Sequence, residues 1–305
     1  MLLQDEVMNS AEIVAGKIAS TGSAPGLALR DACLQAIDHA ETMLGSAARG
    51  PHRAIHQARK GIRRARAALA LSAIDDEEAN TIDRTLKRLA KTLSRVRDAA
   101  VAVESYDRLV KHAAVRPIAV SLRPLRARLV AQRDAVLSDR LQRDPAFARL
   151  RARLGAVRGK VRSLPWSGVD VDAVAHAMNR AARRAEKIGA RAQGRFEETV
   201  RHRWRRRLRR LNDQRVLIAK LMAEGWPKNA SDRYQLGVRL EQIAAKHPPN
   251  GPRLAANAHL LGLEHDARLL RRIARTSATI DATPRSQLVA ALNRRLHKLH
   301  RRTAR

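Results

Sequence analysis

The chain has 305 residues, 61 Lys and Arg against 29 Asp and Glu, a formal net charge of +32 and only 2% aromatic residues. A chain of this length can bury a core without disulfides or metal staples. Its charge lies far beyond what solubility requires and points to a polyanionic partner. The single cysteine, Cys33, excludes an intrachain disulfide framework and is expected to be a small core residue in a reducing interior.

Arginine supplies 50 of the 61 basic residues. Its planar fork meets phosphate oxygens bidentately, which favours phosphate over carboxylate as the partner group.

In chain order, "MLLQDEVMNSAEIVAGKIAS" lacks the basic start and long apolar run of a signal peptide. No later apolar stretch approaches the roughly 18 residues of a membrane span. A cytoplasmic protein with no membrane association is expected. The periodicity is helical almost throughout, rich in Ala and Leu, without the alternating β-branched runs of strands. Breakers divide it: "STGSAPG" at 20–26, "RGP" at 49–51, "RSLPWSG" at 162–168, "GWPKNASD" at 225–232, "HPPNGP" at 247–252 and "TPRS" at 283–286. "LPWSGVDVD" falls near the middle, so an all-α protein of two bundles is expected.

"IHQARKGIRRARAALA" at 55–70 carries one His, one Lys and four Arg. With His56 at zero and about 100° per residue, Arg59, Lys60, Arg63, Arg64 and Arg66 fall at about 300, 40, 340, 80 and 280°. Ile55, Ala58, Ile62, Ala65 and Leu69 fall between about 180 and 260°, so one face packs and the other is a rack of cations. "VRHRWRRRLRRLNDQ" at 200–214 repeats the pattern. From His202, Arg205, Arg206, Arg209 and Arg210 take the offsets of Arg59, Lys60, Arg63 and Arg64, with Val200, Trp204, Leu208 and Leu211 opposite. A second pair of segments stays in step: "LKRLAKTLSRVRDAAV" (86–101) matches "LAANAHLLGLEHDARL" (254–269), pairing Asp98 with Asp266 and Arg97 with His265. The chain therefore contains an internal repeat.

These four motifs, in this order and spacing, resemble the CHAD family, the conserved histidine α-helical domains, from about Leu27 to the C-terminus. The resemblance implies two four-helix-type bundles related by a pseudo-twofold duplication. The first covers residues 27–163 and the second residues 168–305, together forming one CHAD domain after a variable segment at 1–26. It further implies a basic surface that binds inorganic polyphosphate, with His56, Arg59, Lys60, Arg63 and Arg64 corresponding to His202, Arg205, Arg206, Arg209 and Arg210. Association with polyphosphate granules and their other proteins would follow. The segment 231–252 lengthens the second half beyond the simplest family pattern.

Further basic rows extend the expected site. Arg84, Lys87, Arg88, Lys91 and Arg95 share one helical face, as do Arg180, Arg184, Lys187 and Arg191. Lys87, Arg88, Lys91, Arg184 and Lys187 are the candidate contacts among them, against the alternative of a solvated face. Asp98 and Asp266 read as structural, each pairing with an Arg across the bundle.

The remaining histidines show no metal-ligand grouping, and neither a metal nor a cofactor is expected. Neither a P-loop nor a carboxylate cluster for divalent metal is present, so a binding protein is expected rather than an enzyme. The competing reading is non-specific nucleic-acid binding through the same cations. Against it, the racks lack interleaved aromatics for base stacking.

Overall fold

The structure is a computed structural model that describes residues 25–192, 197–247 and 251–304. The segment expected to be variable, 1–26, lies outside the described residues except for its last two, which open the first helix. The described residues form eleven α-helices and no strand, the all-α fold expected.

Helices α1 (Pro25–Gly45) and α2 (Pro51–Leu71) form an antiparallel pair around the "RGP" turn, with Pro51 in the first turn of α2, where its missing N–H costs nothing. They approach closely. A Cβ at Gly61 would lie 2.7 Å from the Ala36 carbonyl oxygen, so glycine is required there. Helix α3 (Glu77–Thr92) starts at Asp76, whose carboxylate accepts from the Ala79 N–H, with Glu77 and Glu78 favourably placed in the first turn.

Helix α4 (Ser94–Leu109) follows after a break at Leu93. The motif "LKRLAKTLSRVRDAAV", expected as one helix, is therefore two, and Arg95 does not continue the α3 row. The cause is competition for one acceptor: Arg59 and the Ser94 hydroxyl both donate to the Ala90 carbonyl, which a continuous helix would give to the Ser94 N–H. Leu93 itself is fully buried.

The remaining helices are α5 (Arg123–Arg143), α6 (Ala148–Ser163), α7 (Val171–Ala192), α8 (Glu198–Ala223), α9 (Ala230–Lys246), α10 (Gly251–Arg275) and α11 (Ala282–Ala304). Helix α9 accounts for the extra length at 231–252. "TPRS", expected as a breaker, lies in the first turn of α11, where proline is tolerated.

Two apolar clusters hold these helices. In the larger, α1, α2, α3 and α6 close a ring around Leu29, Ile37, Ile62, Leu86 and Leu154, and the same cluster continues through Trp166 into α7, α8 and α9. In the smaller, α4 and α5 pack with α10 and α11 around Tyr106, Leu122, Leu125, Leu270, Leu288 and Leu292. The cores thus cross the division expected at 163–168. The physical reason is that α6 occupies the fourth side of the first ring, leaving the apolar face of α4 to find cover on α10. The "LPWSG" segment is itself packed into the core: Trp166 is buried and donates to the Val161 carbonyl at 2.6 Å.

One polar node lies within this packing. Arg201 of α8 donates to both oxygens of Glu264 on α10 (2.7 and 2.5 Å) and to the Thr303 hydroxyl on α11 (2.7 Å), while Arg268 also donates to Glu264. Arg201 and Glu264 are 4% and 3% exposed, so each depends on the other for its charge. Removing one member of such a pair strands the other. Glu264→Ala is expected to destabilise the protein by about 3–5 kcal/mol, read as a drop in the urea midpoint; an unchanged midpoint would show that the node contributes nothing.

Candidate polyanion-binding site

The two cation racks meet because α2 packs against α8. At their crossing Arg63 donates to Asp213 at 2.8 Å, and Arg210 donates to the Arg66 carbonyl at 3.3 Å. The interface is polar because the apolar stripes of both helices point away from it into the cores.

Beside the crossing opens a cleft of about 290 Å³, whose walls include Arg63, Arg108, Arg205, Arg209, Asp213 and Asp266. An ion pair from opposite sequence halves stands at each of two places on it: Arg63 with Asp213, and Arg108 of α4 with Asp266 of α10 at 3.6 Å. Asp266 thus pairs with an arginine, one from the other half of the chain rather than across its own bundle. Asp98 stays exposed and makes no ion pair within the described residues, although Arg59, Arg205 and Arg97 are its charged neighbours.

Between the two pairs, Arg205 and Arg209 have no carboxylate partner among the described residues, and the Nε of Arg205 is buried without a hydrogen bond. Burial, reinforced by Arg63 and Arg205, lowers the Arg209 guanidinium to about 9. Burial likewise lowers Arg205, against the pull of Asp266 and Asp98. A guanidinium held so is still protonated at neutral pH, but at a cost in self-energy that an incoming anion removes.

The histidines stand nearby. His202 lies against His265, ring centroids 5.3 Å apart and tilted by 46°. Burial first, then Arg205 and His202, lowers His265 to about 4. Burial with Arg206 and Arg205 lowers His202, and burial with Arg97 lowers His56. These imidazoles are therefore neutral at neutral pH, each with one N–H to donate.

The structure does not gather all the sequence-predicted residues into the cleft. Arg63, Arg205 and Arg209 line it. Arg59 stands behind them and is already engaged, donating to the Ala90 carbonyl and at 2.8 Å to the Ser94 hydroxyl. His56, Lys60 and His202 are half-buried at its approaches, and Arg64 and Arg206 are exposed.

Arg210 turns away from the cleft toward Asp83 of α3, at 3.7 Å. Lys87, Arg88 and Lys91 on α3 and Arg184 and Lys187 on α7 are exposed and outside the cleft walls.

Sequence reasoning left out of its site Arg108, Asp213 and His265. Asp213 follows Arg209 by one turn, so its place on the rack was legible, but its partner Arg63 lies 150 positions away. Arg108 is brought in only by the α4–α10 contact.

The fold and cleft define an all-α protein with an arginine-lined cleft where its two halves meet. The chain belongs to the CHAD family, whose CHAD domain model matches residues 28–235, a family linked to polyphosphate binding.

Among solved structures it is similar to PptA from Streptomyces chartreusis, at 16% identity over 92% of this chain and 98% of that one, with a TM-score of 0.61. It is also similar to the CHAD domain from the plant Ricinus communis, at 22% identity over 93% and 88% of the two chains, with a TM-score of 0.53. Both likenesses establish the shared fold. No curated protein matches the chain. Among the described residues no helix is long and apolar enough to cross a membrane.

The depressed His265 has a measurable consequence. An unfolded chain protonates this side chain near its ordinary 6.5, whereas the folded one does so only near 4. Between these values the unfolded state binds more protons, so the residue costs stability as pH falls from 6.5 toward 4 and has no effect above. Thermal melts of the free protein should therefore show His265→Gln gaining on the wild type as pH falls through this window, the offset staying constant above pH 7. Parallel curves across the whole range would show that the His265 environment is not as described.

Proposed function

We propose that the chain binds inorganic polyphosphate in the cleft beside the α2–α8 crossing, and that this binding attaches it to polyphosphate granules in the cytoplasm. The observation that carries this reading is the convergence of Arg63, Arg205 and Arg209 from the two cation racks into one cleft that contains more guanidinium than carboxylate. A chain of phosphates exchanges its condensed counterions for these side chains, which gives affinity without any shape-specific pocket for a base or sugar.

The role is binding rather than catalysis. The sequence has no phosphate-transfer motif, and the cleft carboxylates Asp213 and Asp266 are both spent on arginines.

The internal repeat supports reading the cleft as a pseudo-twofold site. His56 has Arg97 as a charged neighbour, just as His202 has His265 against it, and Arg97 and His265 are matched positions of the repeat. The packing pairs agree: α1 with α2 as α7 with α8, and α4 with α5 as α10 with α11, while α2 meets α8 and α4 meets α10.

Nucleic acid would meet the same charges, but among the described residues no Phe, Trp or Tyr lines the cleft to stack a base. Calorimetric titration with long polyphosphate, and with single- and double-stranded DNA of equal phosphate content, is expected to show polyphosphate binding most tightly. Tighter binding to either DNA overturns the proposal. Arg205→Gln with Arg209→Gln should weaken polyphosphate binding tenfold or more at unchanged helicity. It should also flatten the slope of log K against log salt by about 1.4, at about 0.7 for each lost phosphate contact.

A further inference from the structure

We propose that this chain carries a second anion-binding cluster on the opposite side of α8 from the cleft, and that a long polyphosphate chain occupies both while a short one cannot. The proposal rests on the polyphosphate reading above and adds to it a site and a chain-length preference.

The helix geometry separates the two sets of cations. With Arg205 at zero, Arg209 falls at about 40°, whereas Arg210 and Arg207 fall at about 140 and 200°. The cleft pair and the outer pair therefore point to nearly opposite sides of one helix. Their charged neighbours are also distinct. Arg205 and Arg209 feel Arg59, Arg63, Asp98, Asp213 and Asp266. Arg207 and Arg210 feel Arg66, Arg184, Arg206 and Asp83. No residue belongs to both sets.

The outer cluster is short of negative charge. Among the described residues Asp83 is its one close carboxylate, and Arg66 already takes both of its oxygens at 2.9 Å. Arg210 is left with a 3.7 Å approach to Asp83 and a neutral carbonyl. Arg207 is half-buried and has no ion pair among the described residues. Burial, Arg184, Arg206 and Arg66 all disfavour its charge.

Exposed Arg184 on α7 and Lys87 on α3 flank the group, open to solvent and to a ligand. A half-buried guanidinium without an ion pair, Arg207, beside one only weakly paired, Arg210, repeats the condition found in the cleft, and a phosphate chain relieves it in the same way.

One side chain joins the two clusters. Arg206 falls at about 100°, between the two directions, and is exposed. A phosphate chain leaving the cleft can pass over it, about one helical turn N-terminal of the Arg210 contact with α2. With side chains, a helix is about 10–12 Å across, so the path round half of it is roughly 17 Å. Tripolyphosphate is too short to hold both ends of that path. A long chain seated in the cleft presents its next segment to the outer cluster at high effective concentration, and its affinity rises accordingly.

The test titrates the full chain with tripolyphosphate and with long-chain polyphosphate. The double variant Arg184→Gln with Arg207→Gln is expected to lose about tenfold or more in long-chain affinity while tripolyphosphate binding stays within about twofold. Because Arg207 is half-buried, Arg184→Glu, which alters only an exposed side chain, serves as a second variant and should lower long-chain affinity alone. Unchanged long-chain binding in both variants overturns the second cluster. Equal losses for both ligands overturn the separation into two sites. Failure of the wild type to bind either polyphosphate would instead remove the functional reading on which the proposal stands, and it would be seen before any variant is made.

Discussion

The architecture depends on one unusual constraint: two helices meet through arginines. Where α2 crosses α8, Arg63 donates to Asp213 and Arg210 donates to the Arg66 carbonyl. Such a contact is not self-stabilising, because like charges at close range repel and half-buried ones are poorly solvated. It is maintained from behind. The apolar stripe of α2 is fixed in the ring with α1, α3 and α6, and that of α8 packs against α7. The cores hold the cations together against their own repulsion, so an anion finds the charge already concentrated.

Arginine serves two purposes in this chain, and bonding distinguishes them. Arg201 is buried with Glu264, Thr303 and the Ala192 carbonyl all around its guanidinium, and so ties four helices together. Arg59 closes the end of α3 at the Leu93 break. Arg66 saturates Asp83. By contrast, Arg205, Arg207 and Arg209 have no ion-pair partner among the described residues. The functional candidates are thus the arginines that the fold leaves incomplete, and residue type or helix face alone does not identify them.

The acids in the cleft refine this picture. Asp213 and Asp266 each reach across from the second half to an arginine of the first. They lower the repulsion that the cores must resist and fix the positions of Arg63 and Arg108. They also leave Arg205 and Arg209, between them, as the centre of uncompensated charge. Neutral histidines at the approaches add N–H donors without adding to the repulsion.

The sequence by itself determined the helical class, the two cation racks and the family, because these follow from local periodicity and from the steric fact that a helix shows each residue to a known side. It placed Arg63 on the cation face of α2 and Arg205 and Arg209 on that of α8, and all three line the cleft. It also put Arg210 on that face, while the tertiary structure turns it toward Asp83 on another helix. Only the tertiary structure decided that Arg59 would break α3 from α4, that α4 and α5 would be covered by α10 and α11, and that Arg108 would enter the cleft. Each of these turns on a contact between residues far apart in sequence. Which carboxylate neutralises which guanidinium, and hence which charges remain for a ligand, is set by distances of a few ångströms that no local pattern encodes.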